Sequence, residues 1–203
     1  MKESEKNFVN NRYSHIYIEA GAEKYPLAKI ILNRFKDALR VSVDHYKDIF
    51  NRPNQDFQLQ KDAQNIILAV KKDNLIYKGS DMCHNFGYSN FHYTSFLLNC
   101  IYNCDYCYLQ GMYASGNLVV FVNIEDVFKE VERILNNNPL YLAVSYDTDM
   151  LALENIVPLT SMWIEYASGK KDLQIEIRTK SSNYTSISSL KPIDNVILAW
   201  TIS

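Results

Sequence analysis

The 203-residue chain reads as an α/β protein. Its second half predicts a parallel sheet or barrel built from β/α units, with a smaller α/β extension before it. Two observations predict this. Four short apolar runs alternate with three helical stretches from about residue 91 onward. Polar, chemically capable residues then collect just after those runs, at 100–108, 145–149, 178–181 and 201–203. These positions are the carboxyl ends of the expected strands, where such folds build active sites, although any strand turns polar as it leaves a core. The expected organisation is an N-terminal α/β region over 1–90 and the first four β/α units over 91–203.

The elements follow in order. IYIE at 16–19 alternates as a strand. PLAKIILNRFKDAL at 26–39 predicts a helix, with Pro26 in the first turn and Leu27, Ile30, Ile31 and Phe35 at helical spacing. AQNIILAVKK and NLIYKG, separated by KDN, predict two strands of a hairpin or a strand and its return. HYTSFLLN at 92–99 predicts the strand that enters the cysteine-rich loop. NIEDVFKEVERILNNN predicts a helix, with Asn123 as a candidate cap, Glu125 and Asp126 in the first turn, and Val127, Val131, Ile134 and Leu135 on the inner face. PLYLAVSYDTD, DLQIEIRTKSSN and NVILAWTIS predict strands, with helices over ENIVPLTSMWIEYAS and, weakly, 184–191. Four β/α units do not close a barrel, and a final apolar strand leaves an unpaired edge. Either another chain covers that edge or the sequence is a piece of a longer product, and the second is the expectation.

Composition narrows the class. Hydrophobic residues make up 47% and charged residues 22%, as in an ordinary globular domain. No run approaches the roughly 18 apolar residues that span a bilayer, and the polar start MKESEKNFVNNRY lacks a signal-peptide core. The reading is a cytoplasmic protein without a membrane partner, whose cysteines serve as ligands or in catalysis rather than in disulfides. The formal charge of −2 is uneven: residues 1–80 carry 14 Lys/Arg against 10 Asp/Glu, and residues 81–203 carry 7 against 13. A basic first part suits a phosphate backbone, or is an ordinary solvated surface.

The most specific stretch is NCIYNCDYCYLQGMY at 99–113, which holds Cys100, Cys104 and Cys107 as C-x3-C-x2-C. The fourth cysteine, Cys83, lies upstream. Structural zinc wants four ligands, and the fourth would be Cys83, His84 or His92, but the spacing is poor for a zinc knuckle. Disulfides leave one thiol over. Three thiolates suit a 4Fe–4S cluster, in which one iron keeps an open position for a small molecule.

CIYNCDYCY resembles the radical SAM signature, C-x3-C-x2-C with an aromatic residue before the last cysteine. NCIYNCDYCYLQGMY is similar, more narrowly, to the corresponding loop of the spore photoproduct lyase family, clostridial type. VNIEDVF and IYIEAGAEKYPLAKIILNRF resemble further segments of that family, whose members are considerably longer. The resemblance implies a radical SAM partial barrel, truncated here. Cys100, Cys104 and Cys107 would hold the 4Fe–4S cluster, and S-adenosyl-L-methionine (SAM) would chelate the open iron. Reductive cleavage, fed by a flavodoxin- or ferredoxin-type electron donor, would give a 5′-deoxyadenosyl radical. The implied substrate is DNA carrying the thymine lesion 5-thyminyl-5,6-dihydrothymine, extruded from the helix. The radical would take hydrogen from C6, the methylene bridge would break, and a thiol would return a hydrogen atom.

Residue roles carry over on the same resemblance. Tyr108 falls near the adenine, Lys180 matches a lysine that contacts the SAM carboxylate, and Thr148 and Thr201 fall where the family has SAM-contacting serines. Many members carry the hydrogen-donating cysteine where this chain has Tyr146. The expected donor is therefore Cys83, with Tyr106 and Tyr108 as relay candidates and Tyr146 as the competing donor. Cys83 also reads as a small buried hydrophobe, Lys180 as a strand-end charge, and Asp149 as a residue that orients a loop. Two other functions stay open: a radical SAM enzyme with another substrate, and a non-catalytic metal-binding fragment.

Overall fold

The computed structural model of the chain describes residues 13–80, 82–83, 85–136 and 138–201. In chain order the strands are β1 His15–Glu19, β2 Leu39–Val43, β3 Ile66–Ala69, β4 Tyr77–Lys78, β5 Phe91–Tyr93, β6 Leu97–Leu98, β7 Leu118–Phe121, β8 Leu140–Ala143, β9 Leu173–Thr179 and β10 Val196–Trp200. The helices are α1 Pro26–Arg34, α2 Lys47–Phe50, α3 Phe57–Asp62, α4 Leu109–Met112, α5 Ile124–Leu135, α6 Met150–Leu153 and α7 Leu159–Ala167. Short 3-10 turns occupy Ala22–Lys24 and Asn183–Ile187. No helix among the described residues is long and apolar enough to cross a membrane.

The chain forms two compact units, one running to residue 71 and including 97–123, the other comprising 72–96 and the chain from 124 onward. The boundary expected near residue 90 runs inside the second unit, and the segment with the three clustered cysteines belongs to the first.

The first unit holds a five-stranded sheet in the order β2-β1-β3-β7-β6. β1 pairs in parallel with β2 and β3, and β3 with β7, while the short β6 runs antiparallel to β7. β3 and β7, IILA and LVVF, are buried throughout, as central parallel strands are. α1 begins at Pro26, whose missing N–H costs nothing in a first turn. Its inner face is Leu27, Ala28, Ile31 and Leu32, whereas Ile30 is exposed. The helix stops at Arg34 rather than running to 39. Phe35 leaves helical geometry at φ −110°, and Leu39 already donates its N–H to the Ser14 carbonyl as β2 joins the sheet.

The second unit holds a sheet in the order β10-β9-β8-β5-β4. β5, β8, β9 and β10 are mutually parallel, and β4 closes the far edge antiparallel to β5. β8, β9 and β10 are the last three apolar runs of the sequence, and β5 takes up only the start of the first. β10 stands at the other edge. α5 buries Val127 and Val131 and exposes Lys129, Glu132 and Arg133, with Glu125, Asp126 and Glu130 half-buried. Trp163 of α7 is fully buried, edge-on to Phe128 at 5.0 Å between centroids. Trp200 is half-exposed and donates its indole N–H to the Ser181 carbonyl.

Two strand expectations need correction. NLIYKG does not form a hairpin with AQNIILAVKK, because β3 and β4 belong to different sheets. The turn between them diverts the chain: Lys71 is held at both backbone groups by the buried Asn123 amide, and Asn74 takes a positive φ of 46°. HYTSFLLN is likewise two strands. Tyr93 ends β5, the Thr94 hydroxyl bonds the Leu75 carbonyl, and Leu97–Leu98 then pair with Val119 and Val120 of β7. β2 and β7 had not been expected as strands.

Candidate functional site

In the first unit the three cysteines sit on the loop between β6 and α4. Asn99 turns the chain into it. This residue is buried, takes φ 70°, and donates its side-chain amide to the carbonyls of Ser115 at 2.5 Å and Asn117 at 2.8 Å. Asn tolerates this left-handed geometry better than most residues, and both buried carbonyls gain a donor. Cys107 donates its N–H to the Cys104 carbonyl at 2.9 Å, and Tyr102 donates its N–H to Cys100 Sγ at 3.4 Å. Gln110 braces the Cys104 carbonyl at 2.7 Å, and Gln64 and Lys61 both donate to the Cys100 carbonyl. Cys100 and Cys107 share a shallow pocket with Lys61, Tyr102 and Gln110.

No disulfide joins the four cysteines, and each is half-buried. Tyr106 and Tyr108 are largely exposed, at 64% and 59%. Among the described residues, no three His, Cys, Asp or Glu side chains converge closely enough to share one metal ion. A single tetrahedral zinc demands that convergence, whereas in a 4Fe–4S cluster each thiolate meets a different iron. The donor set, three accessible thiols on one loop with a backbone N–H on one sulfur, fits the cluster. His84 lies outside the described residues. His92, on β5, has its pKa lowered chiefly by burial.

In the second unit the parallel strands release polar residues at one edge of their sheet. Asp149 ties the exits of β8 and β9 together. It caps α6 by accepting from Ala152 N at 3.0 Å, and accepts from the Thr179 hydroxyl and the Lys180 N–H, each at 2.7 Å. Ser95 donates to the Asp147 carboxylate. Ser145 accepts the Arg178 N–H at 2.7 Å. Thr201 donates its N–H to the Thr179 carbonyl, which sets the β10 exit beside that of β9. Thr148, Lys180 and Thr201 thus stand on two successive exits and the third beyond them. The Thr148 hydroxyl is buried without a hydrogen-bond partner, and Lys180 is exposed. A buried hydroxyl lacking a partner costs about 1–3 kcal/mol, so it suits a ligand that supplies one.

Cys83 and Tyr146 meet at a cavity of about 490 Å³, lined also by Lys78, Ser80, Phe91 and Tyr93. Cys83 packs against the Phe91–Tyr141–Ala143 cluster. Gly79 permits the Phe91 ring to lie against the backbone, since a Cβ there would come within 2.1 Å of it. Tyr77, Tyr93 and Tyr146 stack in series, with centroids 5.1 and 4.3 Å apart. Burial chiefly pushes the Tyr93 phenol upward, helped by Tyr146, Tyr77, Asp147 and Cys83; burial and then Asp147 do the same for Tyr77. Sequence reasoning missed Tyr93 and Lys78 on this wall, and Tyr77 stacked on Tyr93. Their signal was the alternation of two short strands, which reads as packing. It also missed Lys61 and Gln64, which reach the cysteine loop from positions that no motif marks.

A parallel-sheet α/β fold with polar strand exits and a three-thiol loop defines the class of protein. The family model described as spore photoproduct lyase matches residues 12–195, and the chain belongs to that family. It is similar to the solved structure of spore photoproduct lyase complexed with dinucleoside spore photoproduct, with a TM-score of 0.79, 16% identity, and coverage of 94% of this chain and 56% of that one. A double mutant of that lyase, with bound AdoMet and dinucleoside spore photoproduct, gives a TM-score of 0.76 at the same identity and coverage. The fold is the same, and the chain spans 56% of the length of these structures. No curated protein matches the chain.

Proposed function

We propose that this chain carries the radical SAM chemistry of a lyase that reverts spore photoproduct in DNA to two thymines. The observation behind this reading is the set of three thiols on one loop, in a chain whose family match runs over 12–195. Cys100, Cys104 and Cys107, as thiolates, would hold a 4Fe–4S cluster. Bound SAM and the cluster, fed by a flavodoxin- or ferredoxin-type donor, would supply a hydrogen-abstracting radical. Lys180 offers its cation to the SAM carboxylate, Thr148 its unpartnered hydroxyl, Thr201 a third contact, and Tyr108 a ring for the adenine. Tyr106 and Tyr108 are the relay candidates.

Cys83 returns the hydrogen atom. Its S–H bond breaks, a C–H bond forms on the lesion's bridging carbon to complete the thymine methyl group, and the unpaired electron stays on sulfur. The cavity it shares with Lys78 and Tyr93 supports this role. Tyr146 lines the same cavity and is the second candidate donor.

Anaerobic loading with iron and sulfide, followed by electron paramagnetic resonance of the reduced protein, tests the reading. The expected 4Fe–4S signal shifts when SAM is added. Loaded protein then converts dinucleoside spore photoproduct, and Cys83→Ala lowers the thymine yield at least tenfold where Tyr146→Phe does not. A cluster blind to SAM overturns the radical SAM reading, and normal yield from Cys83→Ala overturns the donor assignment.

A further inference from the structure

The cysteine loop lacks a cation of its own. Residues 99–113 contain no Lys or Arg, and their single charged residue is Asp105. Three thiolates would therefore concentrate negative charge on a segment that already carries one carboxylate. The compensating charge comes from α3. Lys61 donates its ammonium to the Cys100 carbonyl and lines the pocket that holds Cys100 and Cys107.

α3 is unusual in what holds it. It buries none of its residues, and Leu59 is 67% exposed. Short helices depend on tertiary packing, and this one has polar contacts in its place. Asp56 caps it through Leu59 N at 2.9 Å. Gln58 joins a ring of amides: it accepts from Asn103 at 2.9 Å and donates to Gln110 at 3.4 Å, and Gln110 donates to Asn103 at 3.2 Å. Gln60 accepts from the Ser115 hydroxyl and the Gly116 N–H. Gly116 makes the approach possible, because a Cβ there would lie 2.7 Å from the Phe57 carbonyl oxygen. The helix is clamped on the loop along its length, so the Lys61 charge is held in place rather than left to wander.

We infer that Lys61 is an electrostatic positioning residue that raises the reduction potential of the iron–sulfur group proposed above. Reduction adds one electron to that group and hence one negative charge. A fixed ammonium beside a ligand carbonyl favours the more negative state, and cluster potentials follow local charge and hydrogen bonding. The inference rests on the proposed function, and its test separates the two.

Wild-type protein, Lys61→Met, Lys61→Gln and Lys61→Arg are loaded anaerobically. Iron and sulfide content is measured, and the cluster is titrated against a low-potential reductant of the dithionite class. Lys61→Gln keeps a donor for the Cys100 carbonyl while removing the charge. The expected result is equal iron content and, for Met and Gln, a ratio of reduced to oxidised cluster about three- to tenfold lower at fixed potential, a shift of roughly 30–60 mV for a one-electron couple. Lys61→Arg restores the wild-type midpoint. Equal midpoints in all four proteins overturn the inference while leaving the proposed function intact. Loss of iron in both Met and Gln, with Arg loading normally, also overturns it and makes Lys61 a structural brace. Wild-type protein that takes up no cluster sinks both readings.

Discussion

The two units present their chemically capable residues in opposite ways. In the first, the thiols ride on a loop whose carbonyls are gripped by side chains: Lys61 and Gln64 hold that of Cys100, and Gln110 holds that of Cys104. In the second, the polar residues leave the ends of hydrogen-bonded parallel strands, and one buried carboxylate, Asp149, holds two exits in step. A loop fixed by side chains can be retuned one contact at a time. An edge fixed by a strand ladder moves only if the sheet does.

Predictions follow that contrast from the largest effect downward. Replacing Cys100, Cys104 or Cys107 with Ala is expected to abolish cluster loading while leaving the far-ultraviolet circular dichroism unchanged, because no sheet contact depends on those thiols. Iron and sulfide analysis reads the loss. A variant that unfolds would erase the distinction between loop and scaffold. Asp149→Ala should act the other way. It leaves the Thr179 hydroxyl and the N–H groups of Lys180 and Ala152 without their acceptor, at a cost of about 2–4 kcal/mol in urea unfolding.

The pH dependence should divide the units as well. Burial raises the phenols of Tyr77 and Tyr93, both in the second unit. A group whose folded pKa exceeds its unfolded value of about 10 contributes stability that is complete below that pH and is lost as pH rises further. The second unit is therefore expected to weaken progressively above about pH 10, with tyrosinate absorbance lagging behind that of a free tyrosine. Flat stability through that range would show that these rings are not held neutral by the fold. The smallest effect belongs to Gln110→Ala, which removes one brace from the Cys104 carbonyl and should cost about 1 kcal/mol in the same urea measurement.

Much of the fold was legible because it rests on local pattern. The alternation of apolar runs and helices marks β8, β9, β10 and the helix over 124–135, and Pro26 marks the start of α1. What escaped depends on partners distant in sequence. HYTSFLLN reads as one strand, yet Tyr93 pairs with Tyr77 and Ala143 in one sheet while Leu97–Leu98 pair with Val119–Val120 in the other. NLVVF lacks flanking signals, and its burial on both faces removes the alternation that would announce a strand. The C-x3-C-x2-C spacing sets three thiols apart as a group. Nothing in it shows that a lysine 39 positions earlier would reach the Cys100 carbonyl, because that contact is made by the tertiary fold alone.

The placement of the indoles has a practical reach. The chain has two tryptophans, Trp163 deep in the second unit and Trp200 at its β10 edge beside Ser181. Tryptophan emission, excited selectively at the red edge of the absorption, therefore watches one half of the molecule and is blind to the other. A melting curve followed by fluorescence reports the parallel strands and their exits, while ellipticity averages over both sheets. Divergence between the two traces would measure how independently the thiol-bearing half unfolds, without a label being attached anywhere.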